Sequence, residues 1–202
     1  MTRKDFEDVS RETLQRLEVY ADLLERWTNK INLIAPSTLD TLWSRHFQDS
    51  AQVLKIAPNG VRWADLGSGG GFPGAVVAIL ASELRPSLQV TMVESDQRKA
   101  AFLRSVLRET GVTGHVIADR AEMVEPLAAD ILSARALAPL STLLGYAERH
   151  LAVGGRALFP KGKKAEAEVA EALEHWRFDC ERYSSKTDAE AVILSIGDIQ
   201  RV

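Results

Sequence analysis

Much that would tie this chain to a special setting is missing from it. Cys180 is the single cysteine among 202 residues, which excludes an internal disulfide and a cysteine-based zinc cluster. Its thiol reads as a small buried apolar group. No hydrophobic run approaches the length of a membrane span, and Met1-Thr2-Arg3-Lys4-Asp5 opens a polar amphipathic segment, not a signal peptide. These absences point to the cytoplasm. Positive charge is not in excess either: 25 Lys and Arg stand against 28 Asp and Glu, a net charge of −3. A protein that coats nucleic acid through phosphate contacts alone is thereby excluded. Repeats and low-complexity tracts are absent. What remains, with 46% hydrophobic and 26% charged residues, is one globular domain long enough to bury a sizeable core.

The densest signal is Trp63-Ala64-Asp65-Leu66-Gly67-Ser68-Gly69-Gly70-Gly71-Phe72-Pro73-Gly74. A short apolar run, residues 61–66, reads as a buried strand and empties into five glycines within eight positions. An apolar helical pattern, residues 75–80, follows. Glycines let a backbone turn sharply and approach a ligand closely. The helix start behind them offers free N–H groups and a positive dipole end, and Pro73 suits its first turn. This is a nucleotide-binding strand–loop–helix. Residues 69–74 satisfy G-x-G-x-x-G, the dinucleotide spacing, which alone is a weak signal. Asp65, two residues before Gly67, favours S-adenosylmethionine instead. A carboxylate there accepts from the ammonium of that ligand and repels a pyrophosphate. The plainer role for Asp65 is to cap the following turn.

A second strand, residues 88–93, ends in Glu94. In doubly wound folds an acidic residue there accepts hydrogen bonds from ribose hydroxyls; the competing role is to neighbour a helix N-cap at Ser95 or Asp96. Helices at 97–109, 139–150 and 165–175 and a helical turn at 122–127 then alternate with strands at 115–118, 130–134 and 156–160. Two last strands, 178–183 and 191–196, face each other across a polar connection. Upstream, residues 5–31 read as one long amphipathic helix, and Ser37 or Thr38 is expected to cap a second one reaching Leu54. The expected division is a helical extension, residues 1–58, and an α/β core, residues 59–202. That core has a seven-stranded, mostly parallel, Rossmann-like sheet with helices on both faces. Ligands bind at the carboxyl ends of such strands, which lines up Asp65, Gly67, Glu94, Ala121, Glu122 and Arg135 along one edge.

Several blocks carry a specific resemblance. They are the glycine loop, Val93-Glu94-Ser95 with Lys99 and Phe102-Leu103-Arg104, Arg45-His46-Phe47-Gln48-Asp49-Ser50, Arg120-Ala121-Glu122, Ser133-Ala134-Arg135-Ala136, and Lys161-Gly162. Together, in chain order from about residue 24 to residue 162, they resemble the bacterial GidB/RsmG family. Phe72-Pro73-Gly74 is their most specific part, and Ile34 stands where the family carries threonine. The resemblance implies a class I methyltransferase. Its expected reaction moves a methyl group from S-adenosylmethionine to N7 of guanine 527, in the 530 loop of 16S ribosomal RNA, free or in a small-subunit particle. It implies cofactor contacts from Asp65, Gly67, Gly69, Gly71, Phe72, Glu94, Ala121, Glu122 and Arg135. A monomer with no obligate protein partner is expected.

Guanine N7 carries a lone pair and no proton. Transfer to it needs no general base, and alignment of nucleophile, methyl and sulfur suffices. Accordingly no catalytic dyad and no metal site is expected. Arg135 is the candidate to orient the base or hold a phosphate; its competing role is an ion pair with Asp119 or Asp130. His46 reads as a helix–core contact ahead of an acid–base group. Arg98, Lys99, Lys161, Lys163 and Lys164 are candidate RNA contacts, and each cluster also reads as a solvated helix face. Three alternatives stay open: another RNA or a small molecule as acceptor, a nicotinamide-dependent oxidoreductase, and a non-catalytic nucleoside-binding subunit.

Overall fold

The computed structural model describes residue 6 and residues 8–202; the polar leader expected at residues 1–5 lies outside the described residues. Helix α1 (Arg11–Thr28) is followed by a 3-10 turn (Pro36–Thr41) and a π-helical turn (Leu42–Phe47) that runs into α2 (Gln48–Ile56). Then come β1 (Arg62–Leu66), α3 (Gly74–Leu84), β2 (Gln89–Val93), α4 (Gln97–Thr110), β3 (His115–Ile117) and β4 (Ala129–Ala134). Helix α5 (Leu140–His150), β5 (Leu151–Lys161), α6 (Ala165–Ala172), β6 (Trp176–Ser184) and β7 (Val192–Arg201) complete the order.

The seven strands form one sheet in the order β3-β2-β1-β4-β5-β7-β6. Strands β1 to β5 are parallel, and β7 lies antiparallel between β5 and β6. The winding reverses between β1 and β4, so a crevice opens at the carboxyl ends of those two strands. Alternation along the strands divides the core in two. Trp63, Met92, Ile131, Leu158 and Ile193 pack on one face with α1 to α4. Their chain neighbours Leu132, Phe159 and Leu194 pack on the other with α5 and α6. Helix α3 is buried from Gly74 to Ala81 without a break, as a helix covered on all sides must be.

The N-terminal helices depart from expectation. Helix α1 starts at Arg11 because Ser10 caps it: its Oγ accepts from the Thr13 N–H at 3.2 Å. The Ser10 N–H and hydroxyl in turn donate to Glu83 at the end of α3, at 3.0 and 2.8 Å. A cap that is also an anchor outweighs a longer helix. Thr38 does not cap the second helix, and the side chain of Ser37 lies outside what the structure describes. Ala35 holds that position, with no side-chain cap bond, and the Thr38 hydroxyl donates to the Ala35 carbonyl at 2.7 Å. The wider π turn then brings Leu42 and Phe47, five positions apart, into the core together. Further on, residues 121–123 form only a turn, α6 stops at Ala172, and β5 begins at Leu151, directly after α5. The extension packs on the α/β core. The Tyr20 ring stacks on Phe47 at 5.2 Å and lies 5.7 Å from Phe72 and 6.3 Å from Phe102, within one hydrophobic cluster.

Candidate cofactor and acceptor site

The glycine loop turns on residues with positive φ. Gly67 (φ 63°) borders the crevice, and a Cβ there would meet Leu137 Cδ1 at 2.5 Å. A Cβ on Gly69 would face open space, its nearest neighbour being the Gly67 carbonyl at 3.8 Å. Gly71 (φ 96°) is different: a Cβ would overlap the Tyr20 hydroxyl and stand 2.8 Å from Ala75 Cβ. Gly67 thus closes against Leu137 and Gly71 against the core, while Gly69 is the least crowded of the three. Phe72 also faces inward, 3% exposed.

Asp65 lies beneath the loop, fully buried. Its Oδ1 accepts from the Ser133 hydroxyl at 2.6 Å, which accepts in turn from Trp63 Nε1 at 2.8 Å. Its Oδ2 accepts from the Gly74 N–H at 3.2 Å. Burial pushes its carboxyl up to about 6, although the bonds from Ser133, Ser68 and Gly74 and the charge of Arg135 pull the other way. The Gly74 N–H is thus occupied, and the Ala75 N–H donates to the Gly71 carbonyl at 2.8 Å. These first-turn amides, expected to be free, are consumed inside the loop, with a carboxylate below them. Glu94, 6% exposed, accepts from the Gly69 N–H at 2.7 Å and the Asp96 N–H at 2.8 Å. It pins the glycine loop to the β2–α4 turn. Each of its oxygens keeps a second lone pair for a further donor.

Two cavities open at this edge of the sheet. One, of about 200 Å³, is walled by Gly67, Ser95, Asp119, Ala121, Glu122 and Tyr146. The other, of about 1110 Å³, lies between the N-terminal helices and the loops after β4, β5 and β6, and Arg135 lines it. Leu137 borders both. Ala121 and Glu122 thus line the smaller cavity, whereas Arg135 lines the larger cleft.

Arg135 makes no bond with Asp119 or Asp130. Asp130 holds the Val61 and Arg62 N–H groups at 2.8 and 2.9 Å, and Asp119 holds that of Arg120 at 2.7 Å. The Arg135 guanidinium sits over the Phe72 ring at 4.8 Å, and its Nη1 donates to His46 Nδ1 at 2.9 Å. The same imidazole stacks on Phe72 at 4.9 Å, and its Nε2 lies 3.2 Å from the Thr38 hydroxyl. Burial, then the charges of Arg135 and Arg45, lower the His46 pKa to about 4, so the ring is neutral and Nδ1 is free to accept. Burial also weighs against the charge of Arg135, and Asp49, Tyr20 and Asp65 offset it. Ala136, next in the chain, holds φ 55°. A non-glycine residue in that region marks a backbone forced by its surroundings.

A family described as rRNA small subunit methyltransferase G (GidB) matches residues 13–193. The chain belongs to the GidB family. Ribosomal RNA small subunit methyltransferase G of Ruegeria pomeroyi is 53% identical over 195 residues, covering 96% of each chain. The protein of the same name from Paracoccus denitrificans is 50% identical over 190 residues, covering 93% of this chain and 96% of its own. Among solved structures, MtNAS in complex with MTA and tNA superposes with a TM-score of 0.60 at 19% identity, over 90% of this chain and 69% of that one. A TehB-like SAM-dependent methyltransferase from Corynebacterium glutamicum gives 0.57 at 13% identity, over 89% and 98%. These likenesses show the fold.

In this GidB-family chain the basic candidates separate. Lys161 is only 10% exposed, and its ammonium donates to Glu168 at 2.7 Å and to the Ala138 carbonyl at 3.0 Å. Glu168 also accepts from the Leu140 N–H at 2.8 Å. Lys161 also lines the large cleft, and its ammonium clamps the loop that carries Leu137. Arg98 pairs with its own helix cap, Asp96, at 3.2 Å, and neither it nor Lys99 lines either of these two cavities. Lys163 is exposed, and Lys164 reaches the large cleft. Leu137, Tyr146 and Lys186, which line these cavities, were not among the residues the sequence pointed to. No local pattern marks them, because chain segments far apart bring them together. Among the described residues there is no metal-holding cluster and no helix long and apolar enough to cross a membrane.

Proposed function

We propose that this chain transfers the methyl group of S-adenosylmethionine to N7 of guanine 527 in 16S ribosomal RNA. The observation that carries the reading is that the family match, residues 13–193, spans every residue lining both cavities. The small cavity suits the adenosine part of the donor. Ala121 offers an apolar wall, Ser95, Asp119 and Glu122 offer polar partners, and Gly67 presents bare backbone. When bound, the cofactor supplies an electrophilic methyl on a sulfonium. From the small cavity the donor reaches the large cleft past Leu137, and the acceptor base enters that cleft from the other side.

The residues around the junction align; they do not exchange protons. Arg135 carries five N–H donors, of which His46 takes one. Phe72 fixes the plane of its guanidinium, and the remaining donors serve the acceptor, as a planar fork suits guanine O6. His46, neutral and held at both nitrogens, positions Arg135. The occupied amides at the start of α3, above the Asp65 carboxylate, oppose a nicotinamide dinucleotide, whose pyrophosphate needs free N–H groups there. Action on ribosomal RNA puts the protein in the cytoplasm, and we take it to act as a monomer.

The test is label transfer from methyl-labelled S-adenosylmethionine to small-subunit RNA, both free and in particles. The expected product is N7-methylguanosine at a single position. Label on another base, or on no RNA at all, refutes the reading.

A further inference from the structure

We infer that the acceptor RNA strand is gripped by three cations around the large cleft, Arg45, Lys164 and Lys186, and not by the basic face of α4. The inference rests on the proposed RNA substrate. The three residues come from distant segments: the π turn, the loop before α6, and the loop between β6 and β7. All three are exposed and line the cleft that holds Arg135. Among the described residues none of them has an ion-pair partner within 4.0 Å. Two of the three α4 arginines do: Arg98 pairs with Asp96 at 3.2 Å and Arg108 with Glu109 at 3.0 Å, while Arg104 donates to the Val116 carbonyl at 3.3 Å. A cation already paired gains less from a phosphate than one with only water around it. In a chain of net charge −3, the phosphate grip must be local, and unpaired cations beside the reacting site provide it.

The cleft wall is also braced to keep these cations in place. Gln52 of α2, 8% exposed, donates through Nε2 to the Ser184 carbonyl at 2.7 Å and accepts the Lys186 N–H at 3.0 Å. Asp49, one turn earlier, accepts from the Thr187 hydroxyl and, at 3.4 Å, from that of Ser185. The β6–β7 loop is thereby tied to the helix that follows Arg45, fixing the width of the cleft. The acids in the cleft leave room for this reading. Glu168 is bound to Lys161, Asp49 to Thr187, and Asp188 accepts from the Glu190 N–H at 2.9 Å. Glu171 stands on the rim and sets the side from which the strand stays away.

The experiment measures binding of small-subunit ribosomal RNA by anisotropy at several salt concentrations, with S-adenosylmethionine affinity by calorimetry on the same preparations. Arg45→Glu, Lys164→Glu and Lys186→Glu are each expected to weaken RNA binding about tenfold. Each should also lower the slope of log affinity against log salt by about 0.7, with cofactor affinity unchanged. Lys55→Glu, on the opposite end of α2, serves as the charge control and is expected to match wild type. Wild-type RNA affinity in two or more of the three cleft variants overturns the inference. So does loss of binding in an Arg98→Glu, Lys99→Glu double variant with the cleft variants intact. If the wild-type protein neither binds nor methylates small-subunit RNA, the functional reading itself falls, which the wild-type titration and the label-transfer assay report before any variant is made.

Discussion

At the scale of single residues, the site depends on which partner each charged or titratable group keeps. Arg135→Ala is expected to lose roughly ten- to hundredfold in single-turnover methylation, the value of one well-placed planar contact to a base. Cofactor affinity should stay within a few-fold. His46→Ala should show a smaller loss of the same kind, and His46→Asn, whose amide oxygen can stand in for Nδ1, should recover most of it. If His46 works through Arg135, the double alanine variant is no worse than Arg135→Ala alone; additive losses would give His46 a role of its own. Two buried groups also set opposite trends with pH. Asp65 holds its proton up to about 6 when folded, against an ordinary 3.8. The folded chain therefore binds more protons between those values, and this contribution to stability falls as pH rises, by about 3 kcal/mol in all. His46 is lowered from 6.5 to about 4. There the unfolded chain binds the extra proton, and stability rises with pH over nearly the same window. Denaturant titrations from pH 4 to 7 are expected to show the rise alone in Asp65→Asn and the fall alone in His46→Asn. Parallel curves for wild type and both variants would rule out this pair of opposing terms.

At the scale of elements, the glycine loop serves two masters, and its glycines should fail in two ways. Gly71→Ala forces a side chain into the Tyr20 hydroxyl and Ala75 at φ 96°, so a loss of more than about 2 kcal/mol of stability is expected. Gly69→Ala meets open space and should cost about 1 kcal/mol for its left-handed backbone, with the greater effect on S-adenosylmethionine affinity. Thermal unfolding with calorimetry on the same variants separates these outcomes. Equal unfolding of both variants would mean that the loop is uniform after all. The loop was legible in the sequence because glycine spacing is a local property of the backbone. The inward turn of Gly71 and Phe72 was not, since it depends on α1, which arrives from some fifty residues earlier to cover them.

At the scale of the whole molecule, the N-terminal helices are part of the core. Tyr20, Leu24 and Phe47 cover Phe72 and Phe102 without a break, and Ser10 is bound to the end of α3. A chain of residues 59–202 alone exposes that whole apolar face. It is expected to lack a cooperative unfolding transition and to bind the dye ANS strongly. A sharp transition with cofactor binding retained would establish residues 1–58 as a separable extension.

The sequence by itself determined the succession of strands and helices, the position of the glycine loop, and the acidic ends of β1 and β2. These follow from periodicity and backbone freedom within a few residues. It also carried the family, through short blocks that keep their order. Only the tertiary structure decided the rest. It slipped β7 between β5 and β6, joined His46 to Arg135, took Lys161 out of solvent, and put Lys186 on the same cleft as Arg45 and Lys164. The reason is common to all of these. A pattern of apolar residues specifies which face of an element is buried, but not which element buries it. The role of a charge is set by whatever the folded chain brings within a few ångströms.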